Sequence, residues 1–124
     1  MKVEARFTIY GYATIPVTAK TEDEAWEKAE DVLRDAYYGD VTMVEWQREG
    51  IERDGNAFRA KFFVEGSLSK VVTAAKNYED SEIISKARAM LAKKPPQTGE
   101  FAKFQGVDIS NYDVRDVVEE EALL

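Results

Sequence analysis

From Val3 to Ala19 the chain alternates without a break. The odd positions Val3, Ala5, Phe7, Ile9, Gly11, Ala13, Ile15, Val17 and Ala19 are apolar or small, and the even positions between them are mostly polar. That is the period of a strand with one buried face. As one straight strand the segment would span roughly 56 Å at about 3.3 Å per residue. A compact chain of this length has a radius of gyration of only about 14 Å. The alternation therefore predicts a strand pair turning at Gly11, with a loop over Gly11, Tyr12 and Ala13 that keeps the odd positions on one face. A helix follows. Thr21, Glu22, Asp23 and Glu24 form a capping box, and Ala25, Trp26, Ala29, Val32, Leu33 and Ala36 recur at helical spacing. Tyr37, Tyr38, Gly39 and Asp40 end that helix, Val41–Trp46 reads as another strand, and Arg53–Asn56 as a turn.

The pattern then repeats. Ala5–Ala19 aligns with Ala60–Ala74 at a shift of 55; Lys28-Ala29 and Val32-Leu33 align with Lys86-Ala87 and Met90-Leu91 at 58; Gly39-Asp40-Val41 aligns with Gly99-Glu100-Phe101 at 60. Small insertions between elements explain the growing shift. The second copy places Phe58, Ala60, Phe62, Val64 and Val72 on its apolar face. Its helix runs over Ser81–Ala92 and is stopped by Pro95-Pro96, with a strand around Phe101–Ile109. The expected architecture is a single α+β domain over 1–124. It has two ββαβ repeats (1–53 and 57–110), a largely antiparallel sheet with both helices on one face, and an acidic C-terminal tail over 111–124.

Composition narrows the chemistry. The 124 residues include no cysteine and no histidine, which removes thiolate chemistry, sulfur-built zinc sites and every histidine-based triad. No apolar run reaches the roughly 18–20 residues of a membrane span, and the N-terminus lacks the apolar stretch of a secretory signal. A cytoplasmic setting is expected, with no membrane partner. The net charge is −7, divided as −6 over residues 1–56, +4 over 57–103 and −5 over 104–124. An acidic surface repels phosphate backbones, so the partner expected is a basic protein and not nucleic acid directly.

Among candidate sites, Glu22, Asp23, Glu27, Glu30, Asp31 and Asp35 crowd the first helix, and Asp40 follows it. Two carboxylates four residues apart, such as Glu27 and Asp31, have the spacing to hold a magnesium ion through water, but a solvated helix face with acids favoured near its N-terminus accounts for the same residues. Lys86, Arg88, Lys93 and Lys94 are cations that a helix C-terminus favours. Glu119–Glu121 is a solvated charge run. There is no glycine-rich phosphate loop, and no spacing singles out an acid–base pair, so no enzyme, metal or cofactor is expected. Tyr10 and Tyr12 sit on even positions, away from the apolar face, and Phe63 is out of register in the same way. On a sheet with helices on one side, these three look out from the other. They form either a second core layer under the tail or an aromatic docking patch.

The alternating strands, "VTAKTEDEAWEKAEDVL" and "GDVTMVEW" together resemble the DpnD/PcfM-like family, small ββαβ proteins carried by phages, plasmids and other mobile elements of bacteria. The resemblance spans about residues 3–48, and 58–109 through the repeat. It implies a context of mobile-element accessory genes and assigns no catalytic residue. From it follows the expectation of a non-catalytic acidic inhibitor of a host defence nuclease, an anti-CRISPR or anti-restriction protein. Such a protein binds through the first helix, the aromatic face or the tail. The alternative is a homodimeric structural or assembly module joined through Tyr10, Tyr12 and Phe63.

Overall fold

A computed structural model describes residues 1–117. Glu119–Glu121 and most of the apolar end of the expected tail lie outside the described residues. The chain runs β1 (Lys2–Thr18), α1 (Glu22–Asp35), β2 (Thr42–Asp54), β3 (Ala57–Thr73), α2 (Asp80–Lys93) and β4 (Ala102–Asp116). The strands form one antiparallel sheet in the order β2-β3-β1-β4. The fold is α+β. Its β-α-β-β-α-β connection with this strand order is the ferredoxin-like, split βαβ arrangement. Unrelated activities share that arrangement, so it assigns none by itself.

Three expectations need correction. There is no hairpin at Gly11: β1 is one strand of 17 residues. The halves are accordingly βαβ and not ββαβ, since Ala57–Thr73 is likewise one strand. Residues 111–116, expected in the tail, belong to β4 and pair with β1. The cause is the same each time. A long strand needs no local return when a remote segment supplies its partner, and β1 pairs with β3 along its whole length, from Lys2↔Thr73 to Thr18↔Ala57. Gly11 serves a different purpose. A Cβ there would collide with the carbonyl of Lys103 and the backbone of Phe104, so glycine lets β4 close against β1 where its register shifts.

The register of the central pair carries an internal symmetry. Tyr10 faces Glu65, the residue 55 positions further on, so the middle of the pair is a local dyad. Contacts recur on either side of it. Lys28 Nζ donates to the Thr18 carbonyl and Lys86 Nζ to the Thr73 carbonyl, each at 2.8 Å. Each lysine also pairs with the glutamate four residues before it, Glu24 at 3.1 Å and Glu82 at 3.4 Å. Gly39 lies against the Gln97 carbonyl, and Gly99 against that of Tyr37. Asp40 clasps the same two loops, its Oδ2 accepting from the Gln97 N–H at 2.9 Å.

Both helices cover one sheet face. Trp26, Ala29 and Leu33 of α1 pack on Ile9, Ala13, Phe62 and Val64, while Ile83 and Ala87 of α2 pack on Val3, Ala5 and Phe7. The α1 cap forms as the sequence predicts, with Thr21 Oγ1 accepting from the Glu24 N–H at 3.2 Å; the Glu24 carboxylate reaches one residue further back, to the Lys20 N–H at 3.3 Å. At the other end Tyr38 donates its buried hydroxyl to the Leu33 carbonyl at 2.6 Å, satisfying an orphan acceptor of the last turn. Glu79, which precedes α2, makes no side-chain cap. β2 runs to Asp54, eight residues beyond the expected Trp46 end, and joins β3 through a two-residue turn in which Gly55 takes a positive φ of 61°.

Candidate functional site

Two surfaces remain after the core is closed: the outer side of α1 and the sheet face without helices. On α1, Asp23, Glu27, Asp31 and Asp35 fall at four-residue intervals, so their side chains form one row opposite the buried face. The row rises about 6 Å per step. All four residues are exposed. Like charges at this spacing destabilise a helix by about 0.2–0.5 kcal/mol per pair, and the helix dipole favours only Asp23, in the first turn, so folding does not explain Glu27, Asp31 and Asp35. Asp31 is paired with Arg34 at 2.6 Å, whereas Asp23, Glu27 and Asp35, with the neighbouring Glu22, make no ion pair among the described residues.

The other predicted acids serve the chain itself. Glu30 accepts from Trp46 Nε1 at 3.1 Å and from the guanidinium of Arg48, whose Nε lies at 2.9 Å, so it ties α1 to β2. Burial pushes the Glu30 carboxyl up, but the hydrogen bonds from Arg48 and Trp46 outweigh it and hold the group below its ordinary value. Arg48 also lies over the Trp26 ring at 5.0 Å. Asp40 is held by Gln97, as described. Among the described residues no three acidic groups gather as metal ligands would.

On the open sheet face the structure brings Tyr10, Tyr12 and Phe63 together. Tyr12 and Phe63 are directly opposite on β1 and β3, with rings edge to face at 5.7 Å and 70°. Tyr10 lies two residues along β1, over Gly106, where a Cβ would meet its ring at 2.8 Å. That glycine lets the ring lie down on the sheet, and Tyr10 stays 40% exposed. Among the described residues no second layer covers the trio.

Three cations on this face were not singled out from the sequence, and two of them stand beside the rings. Lys103 pairs in register with Tyr12 on the β4 side, and Lys61 holds its Nζ 4.5 Å from the Tyr12 ring centre. Arg59 follows two residues along β3, at the rim of a groove of about 550 Å³ that Thr14, Glu49 and Glu52 also line. None of the three makes an ion pair among the described residues, although six other cations do. Alternation alone could have found Arg59 and Lys61, which share odd positions with Phe63. Lys103 required the register of β4. Of the predicted basic patch, Lys86 is engaged with Thr73 and Glu82, while Arg88, Lys93 and Lys94 are exposed.

The chain matches no family model, no curated protein and no solved structure. Among the described residues no helix is long and apolar enough to cross a membrane.

Proposed function

We propose that this chain is a non-catalytic binding protein of a phage or other mobile element, which presents the outer row of α1 to a basic protein surface. The partner chemistry that fits best is the nucleic-acid site of a defence nuclease, where lysine and arginine side chains await a line of negative charge. The carrying observation is the contrast between the helices. Asp23, Glu27, Asp31 and Asp35 have counterparts 58 positions later in Ser81, Ser85, Ala89 and Lys93. The same place in the fold thus does without carboxylates, and the α1 row opposes helix formation. Long-range attraction would speed encounter with a cationic partner.

The test uses the full chain as bait in a bacterial lysate, beside a variant carrying Asp23→Lys, Glu27→Lys and Asp35→Lys. A nuclease or other nucleic-acid enzyme retained by the parent, lost by the variant and displaced by added duplex DNA supports the reading. Identical retention by both baits removes α1 as the docking surface. If the retained enzyme stays active with bound protein, the inhibitor role fails.

A further inference from the structure

We infer that the open sheet face is the contact between two copies of this chain, related by a two-fold axis that runs along the strands between β1 and β3. The helices lie on the other side of the sheet, so both α1 rows stay on the outside of such a dimer. The fold itself does not call for rings on this face. The local dyad through Tyr10 and Glu65 relates Tyr12 to Ser67 and Phe63 to Thr8, and Thr8 and Ser67 face each other in register as the two rings do. The equivalent place thus manages with small polar residues.

A second copy fits because the face is complementary to itself. The axis sets each β1 residue over its own in-register β3 neighbour on the other copy, and sets β2 over β4. Tyr12 then meets Phe63, ring on ring, and Tyr10 meets Glu65, a hydroxyl donor over a carboxylate acceptor. Each contact occurs twice. Gln47 and Lys103 both lie in the row of Tyr12 and Phe63, so Lys103 of one copy arrives over Gln47 of the other, between Glu45 and Glu49. Asp108 meets Thr42 in the same way. Glu52 and Arg59 are in-register neighbours and, with Glu100, lie at the corner, where twisted sheets splay apart and leave charge in water.

Shape agrees with charge. The groove of about 550 Å³ includes Gly50, where a Cβ would meet nothing within 4 Å. Gly50 lies in the row of Lys61 and Thr14. Phe101 precedes β4 in that row, is exposed, and lines the other side of the face with Tyr12 and Thr14. The axis therefore carries Phe101 of each copy to the groove of the other. From Thr8 to Pro16 the four strands cover about 19 by 27 Å, which with side-chain relief is the scale of the roughly 800 Å² per partner that a stable pair buries.

The experiment measures the dimer dissociation constant of the full-length protein by sedimentation equilibrium, with circular dichroism confirming the fold of each variant. The parent should dimerise between about 1 and 100 µM. Gly50→Leu fills the groove without touching its own chain and should weaken the dimer about tenfold, as should Phe101→Ala. Gln47→Lys and Lys103→Glu, both at exposed positions, should each weaken it about tenfold by placing like charges together. The two combined should return to within about threefold of the parent. β2 and β4 are the outer strands of one sheet, roughly 14 Å apart, so that rescue acts only between copies. The α1 variant with Asp23→Lys, Glu27→Lys and Asp35→Lys should keep the Gln47→Lys effect, which separates this surface from the α1 docking reading. A parent that stays monomeric throughout overturns the inference; if removing residues 118–124 then permits dimers, that segment is the cover instead. A dimer unmoved by both Gly50→Leu and Phe101→Ala overturns it too, as does a Gln47→Lys, Lys103→Glu double variant no tighter than either single one.

Discussion

α1 and α2 occupy corresponding places on the sheet, yet they are built to different standards. α1 buries Ala25, Trp26, Ala29 and Leu33, is capped by Thr21, and is strapped to β2 through Glu30. α2 buries only Ile83 and Ala87, has no side-chain cap, and has exposed Arg88 where α1 has Glu30. The better-anchored helix is the one that carries the unfavourable carboxylate row. Extra anchoring lets α1 tolerate surface charge that an uncapped, shallowly buried helix would meet with fraying. The comparison separates the residues that hold a helix in place from those it displays.

The sharpest way to break that comparison is in the core. Leu33→Ala should destabilise the protein by about 3 kcal/mol, within the usual range of about 2–5 for a fully buried leucine. Leu91→Ala, at the half-buried counterpart on α2, should cost about 1 kcal/mol or less. Urea denaturation measures both, and equal losses would mean that the two helices are equally anchored.

The strap comes next. Glu30→Ala should cost about 1–2 kcal/mol, since it leaves Trp46 Nε1 and the Arg48 guanidinium without their acceptor, whereas Arg88→Ala should stay within about 0.5 kcal/mol. The strap also has a pH signature. The folded-state pKa of Glu30 is depressed, so its stabilisation is fully present above the unfolded value of about 4.3 and is lost as pH falls through the folded value. Glu30→Gln should remove that acid-side loss, visible as a flatter stability curve below about pH 4.5.

The smallest effect falls on the row itself. Giving α1 the residues of α2 (Asp23→Ser, Glu27→Ser, Asp31→Ala and Asp35→Lys together) should leave stability unchanged or raise it by up to about 1 kcal/mol. Three like-charge pairs disappear, and a cation arrives where the helix dipole favours one. A fall in melting temperature equivalent to more than about 1 kcal/mol would show the row to be structural after all.

Much of this fold was legible from residue patterns, but only where the information is local. The capping box and the spacing of Ala25, Trp26, Ala29 and Leu33 mark α1 unambiguously, because a helix satisfies its hydrogen bonds within itself. The uninterrupted alternation from Val3 to Ala19 likewise marks a single strand. The expectation of a hairpin came from weighing the length of a straight strand against the size of the chain; β1 nevertheless runs unbroken, because β3, starting at Ala57, is as long and pairs with it from end to end. The later part of β2 and residues 110–116 were missed because edge strands have one unpaired side and carry charged residues there, which blurs the apolar period. Glu30 and Asp40 looked like their exposed neighbours in sequence. Only the fold places Trp46, Arg48 and Gln97 against them.

The pairing scheme also determines when this protein can fold on the ribosome. No strand of the first half pairs with another from that half, because β1 lies between β3 and β4, and β2 lies against β3. At synthesis rates of about 5–20 residues per second, β1 waits several seconds for β3 to emerge. Through that interval it is a long amphipathic segment with both edges open, the kind of segment that chaperones hold and that otherwise aggregates. Slowing translation before residue 73 should lower the soluble yield, while slowing it after β3 has emerged should do so far less.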